Sequence, residues 1–93
     1  MSKIWSIGVS TPITPQDPLP PMPNLQPGEL LVIEGRAPIW RYAMALHRAH
    51  GSAAGAVAVF DPRLGYVVTV SHSPKFKEGE ILPSESAEVR RIV

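Results

Sequence analysis

The sequence predicts an α+β fold in which one main helix lies on one face of a small antiparallel or mixed sheet. Three observations carry that prediction. Residues 37–50 are the one stretch with apolar side chains at helical spacing. Residues 3–10, 29–34, 56–61 and 66–73 are short runs that alternate or stay mostly apolar. At 93 residues the chain is long enough for one domain and too short for two. A unit this small leaves much apolar surface unburied, so assembly with further copies is expected.

In residues 3–10, Trp5, Ile7 and Val9 alternate with Ile4, Ser6 and Gly8, the period of a first strand. Residues 12–28 then hold seven of the eleven prolines, which forbids a regular helix or an inner strand and predicts an extended connector. Its apolar members Ile13, Leu19, Met22 and Leu25 should keep that connector against the domain. Residues 29–34 (ELLVIE) form a nearly continuous apolar run, as in a strand covered on both faces. Gly35 breaks the run, and Pro38 suits the first turn of a helix over 37–50. Trp40, Ala43, Met44 and His47 recur at helical spacing there, and Ala43, Ala45 and Ala49 add helix propensity.

Residues 51–55 make a small-residue turn, and two strands at 56–61 and 66–73 are joined through Pro62, Arg63, Leu64 and Gly65. Pairing Asp61 with Tyr66 would put Val57, Val59, Val68 and Val70 on the helix side. Ala56, Ala58, Phe60, Val67, Thr69 and Ser71 would then share an open face suited to a second subunit or a planar ligand. A short strand at 80–82 and a disordered tail at 84–93 complete the expectation.

With nine basic and eight acidic residues the net charge is +1, which speaks against tracking a long duplex or RNA and for a compact anion held by a few local cations. The absence of cysteine rules out disulfides, thiolate metal sites and cysteine nucleophiles. No apolar run approaches the ~18 residues of a membrane span, and the start of the chain lacks the features of a signal peptide, so a cytoplasmic protein is expected.

Because a helix returning to a neighbouring strand runs antiparallel to it, the charged residues divide into two groups. Arg36, the helix start, Asp61 and Arg63 belong at one end of the sheet, where helix amides and guanidinium forks suit phosphate. His47, His50 and His72 belong at the other, where imidazoles can move protons. A strand at ~3.3 Å per residue keeps the ends roughly 15–25 Å apart, so a reaction needing both requires sites shared between subunits. Each residue also has a plainer role. Asp61 is an ordinary turn residue, Arg63 its ion-pair partner, His47 a packing residue beside Trp40 and Met44, His72 a satisfied core histidine, and Ser71 and Ser73 strand residues.

The blocks VIEGRAPIWRYAMALHRAH, VAVFDPRLG and VSHS, within residues 28–82, resemble the small CRISPR-associated ring nucleases of the Csx-three (Crn-three) family. The resemblance implies a ferredoxin-like fold and cleavage of the second messenger cyclic tetra-adenylate, ending an antiviral signal. It also implies two dimers that sandwich the ring, and stimulation by manganese. By position it makes His50, Asp61 and Arg63 catalytic. Arg36, Pro38, Arg41, Ser71 and Ser73 are the candidate substrate-binding residues, and His47 and His72 the candidate metal ligands. A manganese-dependent 3′ exoribonuclease and a noncatalytic messenger-binding module are the alternatives.

Overall fold

The computed structural model describes residues 2–82. Five strands and one helix follow in the order β1 (Ser2–Ser6), β2 (Leu30–Glu34), α1 (Ile39–His50), β3 (Ala56–Asp61), β4 (Gly65–Ser71) and β5 (Ile81–Leu82). The sheet is mixed and its strands lie in sequence order, β1-β2-β3-β4-β5. The first three are parallel, and β4 and β5 each turn back antiparallel to the strand before. The expected α+β class with one helix on one face is what the chain adopts. The tail expected at 84–93 lies outside the described residues.

Parallel neighbours need long crossovers, and the two used here differ in kind. Between β2 and β3 the crossover is α1, whereas between β1 and β2 it is the proline-rich strap. Leu19, Met22 and Leu25 of the strap join the same core as Ala45 and Ala49 of the helix, together with Trp5, Ile7, Leu31, Ile33 and Val57. The strap therefore shares with α1 the layer that covers this face of the sheet. Proline has no amide proton to satisfy, so an extended strap can lie on the core with few orphaned donors. Trp5 locks it in place: the ring is buried and its Nε1 donates to the Pro20 carbonyl oxygen at 3.2 Å.

The helix turns inward along Arg41, Ala45 and Ala49, one residue per turn, while Ala43, Met44 and His47 face out. The expectation that His47 packs beside Met44 is corrected accordingly. Alanines at 45 and 49 let the helix approach the sheet, and a stripe of larger side chains would hold it away. Pro38 stands just before the helix, with extended backbone, and not inside its first turn.

The β3–β4 register also differs from expectation, since Asp61 pairs with Gly65 and Phe60 with Tyr66. That one-residue change moves Val68 to the face away from the helix, opposite Ala58. A bulge then inserts Thr69 between the Ala58–Val68 and Val57–Val70 pairs and returns Val70 to the helix side. The face expected to be open is also buried: Leu30, Val32, Ala56, Ala58, Tyr66, Val68 and Leu82 form a second core, with Ile4 and Phe76 packed on it.

Candidate functional site

Where β2 ends, the chain reverses through Gly35 at φ 126°, a conformation that favours glycine, and passes so close to Gly8 that a Cβ would overlap the Gly8 backbone. Two bonds from this corner fix the helix: the Tyr42 hydroxyl donates to the Gly35 carbonyl oxygen at 2.7 Å, and Arg41 Nε donates to that of Ile7 at 2.8 Å. Burial, followed by the charges of Glu34 and Tyr66, pushes the Tyr42 phenol up and keeps it a donor. Arg41, a candidate for substrate, is buried and turned inward. Arg36 is exposed on the turn, and Pro38 leads into a helix with no side-chain cap and no acidic residue in its first turn.

At the same end, β3 runs into a tight turn organised by Asp61. Its Oδ1 accepts from the Arg63 amide at 2.8 Å and the Leu64 amide at 3.1 Å, an Asx turn. Arg63 Nε stands 4.0 Å from the same oxygen, with its side chain 89% exposed, so the guanidinium is loosely tethered and open to an anion. Both plainer roles foreseen for this pair are therefore filled, and they leave Arg63 available.

The opposite end is assembled by tertiary contacts. Glu29 carbonyl oxygen accepts from the Gly55 amide at 2.8 Å, and Gly55 carbonyl oxygen accepts from the His72 amide at 2.7 Å. That ladder seats His72 against the end of the helix, where its ring stacks on His50 with centroids 5.4 Å apart and planes 14° apart. Both rings are exposed, so His72 is not the core histidine of the plainer reading. His47, also exposed, stands outside that stack.

Ser71 and Ser73 shape the loop that follows β4. Ser71 Oγ lies 2.7 Å from the Phe76 carbonyl oxygen and 3.0 Å from that of Ser73, and Ser73 Oγ accepts from the Lys75 amide at 3.1 Å.

Gly55 and Asp61 are six residues apart along an extended strand, so the imidazole pair and the Asp61 turn stand ~20 Å apart in one chain. Among the described residues no three His, Asp or Glu side chains converge as a metal site, and two stacked imidazoles do not form one. The manganese implied by the resemblance therefore has no fitting ligand set within a single described chain.

The family model described as CRISPR-associated protein (Cas_csx3) matches residues 6–83. The chain belongs to this CRISPR-associated family. A protein of Aquifex aeolicus (strain VF5), named only as uncharacterized, is 45% identical over 56 residues, covering 59% of this chain and 49% of that protein. The chain thus spans about half the length of that relative. As in the sequence expectation, no helix among the described residues is long and apolar enough to cross a membrane.

Sequence reasoning missed two residues that line the clefts beside Asp61. Glu34, Arg36, Tyr42, Phe60 and Pro62 bound a cleft of about 480 Å³, which adjoins one of about 460 Å³ lined by Ile39, Leu46, Val59 and Asp61. Glu34 and Tyr42 are the new members, and Phe60 comes from the face expected to suit a planar ligand. Their signal in the sequence was an acidic residue ending an apolar strand and a tyrosine in the first turn of the helix that follows.

Proposed function

We propose that the protein cleaves the cyclic tetra-adenylate ring at its phosphodiesters, using a site completed by two copies of the chain. The observation that supports this most directly is the stacked pair His50–His72 at one end of β3 with Asp61 and Arg63 at the other. Both are exposed groups suited to phosphodiester chemistry, and at ~20 Å they are too far apart to share one phosphate within a chain. Membership of a CRISPR-associated family supports a CRISPR signalling nucleotide as the class of ligand.

Each ring linkage carries its own neighbouring 2′-hydroxyl. In this reading the His50 imidazole takes the proton from that hydroxyl as the 2′-oxygen attacks phosphorus. The P–O5′ bond breaks, the 5′-oxygen takes a proton from water as it leaves, a 2′,3′-cyclic phosphate remains, and the His50 imidazolium returns its proton to the hydroxide so formed. His72, stacked on His50, holds the imidazole in orientation. Arg63, with Arg36 from the neighbouring turn, balances the charge that grows on the phosphoryl oxygens, and Asp61 fixes the turn from which Arg63 extends. Prealignment of the 2′-oxygen supplies much of the rate, so few catalytic groups are required. A homo-oligomer, dimer or dimer of dimers, matches the repeats of the ring with repeated contacts.

Chromatography of the ring after incubation with protein, with and without manganese, tests the reading. Ring opening by the native chain and its loss in His50→Ala are expected. Trimming of linear oligoadenylate with the ring left intact would favour the exoribonuclease, and ring binding without turnover would favour a binding module.

A further inference from the structure

The cleft at the carboxyl ends of β2 and β3 sets two groups that the proposed chemistry does not use, Glu34 and Phe60, beside Arg36, which it does. Ser6 and Glu34 are paired across β1 and β2, and Ser6 Oγ donates to Glu34 Oε2. Among the described residues, Glu34 Oε1 accepts no hydrogen bond, and Arg36, on the same cleft, makes no ion pair. Phe60 supplies an exposed aromatic wall, tilted against Tyr66 with centroids 5.3 Å apart. At about 480 Å³ the cleft falls within the ~300–1,000 Å³ range of small-molecule sites.

Resting on the phosphodiester reading above, we propose that this cleft is a base-reading subsite that selects nucleobases bearing an exocyclic amino group, adenine among them, against uracil. The carboxylate only accepts hydrogen bonds, so Glu34 Oε1 complements the exocyclic N–H of adenine N6, cytosine N4 or guanine N2 and opposes the carbonyl O4 of uracil. The aromatic face of Phe60 stacks the base without regard to its identity. Arg36 takes an adjoining phosphate, so one nucleotide satisfies the carboxylate, the ring and the guanidinium together. The Ser6 hydroxyl holds the carboxylate in one rotamer and leaves Oε1 for the ligand. Pro62 closes the cleft on the side of the Asp61 turn, placing a bound base next to the proposed Arg63 phosphate contact.

Calorimetry with cyclic tetra-adenylate and cyclic tetra-uridylate, together with amide chemical-shift mapping with AMP and UMP, tests the assignment on the full chain. The native protein should prefer the adenine ring by about 10- to 100-fold. Glu34→Gln, whose amide can flip to accept from adenine or donate to uracil, should reduce that preference to a few-fold at most. Phe60→Ala should weaken both rings alike, with circular dichroism confirming the fold of each variant. If the adenine ring binds and opens but Glu34→Gln keeps full discrimination, the subsite is overturned while ring cleavage stands. If no ring binds and AMP, not UMP, still shifts the amides of Glu34 and Phe60, ring cleavage falls and the subsite stands. No response at these amides to either nucleotide, with no ring bound, overturns both.

Discussion

The two ends of strand β3 are built in opposite ways. At its carboxyl end, the Asp61 turn closes through contacts between residues two and three apart, so Asp61, Arg63 and Leu64 would shape this corner in almost any sheet. At its amino end, His72 is held by Gly55, which is held by Glu29, and its stacking partner His50 arrives from the helix. One end is local and cheaply formed, while the other exists only when four segments are correctly packed. The guanidinium end should therefore tolerate change in the fold, and the imidazole end should report it.

The strongest way to break this comparison is to separate the two ends genetically. His50→Ala and Asp61→Ala should each lower ring cleavage by about 10²- to 10⁴-fold. Mixed in equal amounts and allowed to reassemble, they should regain activity in about a quarter of the sites, because a shared site needs one intact group from each subunit. No recovery after verified subunit exchange would mean that each chain works alone and that the ~20 Å separation is bridged in another way.

A smaller effect is expected from the imidazole that only positions. His72→Ala should lower kcat by about 10- to 100-fold through loss of His50 alignment, with little change in KM. Because both rings are exposed, denaturant midpoints should move by no more than about 0.5 kcal/mol equivalent. A variant that keeps full kcat would leave the stack without a catalytic role.

Legibility from sequence followed the same division. The helix, the strap and the Asp61 turn were readable because each depends on nearest neighbours: periodic apolar residues, clustered prolines, an Asp-Pro pair. The α+β layering followed from these elements. The register of β4 was not readable. A turn using Pro62, Arg63 and Leu64 with Gly65 already in the strand differs by one residue from the expected one, and that residue moves Val68 across the sheet. The bulge at Thr69 then restores Val70, a correction that alternation alone cannot reveal. The outward turn of His47 was missed for a related reason: small Ala45 and Ala49 define the buried stripe, and the larger Trp40 and Met44 drew attention to another. Glu34 was not readable as a site residue because it looks like an ordinary strand residue until the carboxyl ends of β2 and β3 are placed together.

Below activity in size is the stability carried by the local turn. Asp61→Ala removes the acceptor for two backbone amides and should cost about 1 kcal/mol in chemical denaturation. Arg63→Ala should cost at most about 0.5 kcal/mol, since its exposed contact with Asp61 is long and screened. Equal losses in the two variants would mean that the ion pair, and not the Asx turn, organises this end.

The smallest effect concerns the imidazole end in acid. The Gln26 amide, donating to Glu29 Oε1 at 2.7 Å, holds the Glu29 carboxyl below the usual carboxylate range. Burial opposes that shift, and the Lys3 ammonium at 3.4 Å adds to it. A carboxyl whose folded-state pKa is lowered contributes stability that is fully present above its unfolded value, ~4.3, and is lost as pH falls through the lower folded value. Glu29→Gln should therefore melt below the native chain at pH 7, and the gap should narrow as the pH is taken below about 4. The backbone of Glu29 carries Gly55, and Gly55 carries His72, so amide exchange at His72 should quicken over the same interval while that at Leu64 changes less. A melting gap that stays constant from neutral pH to acid would show that Glu29 serves this end through its backbone alone.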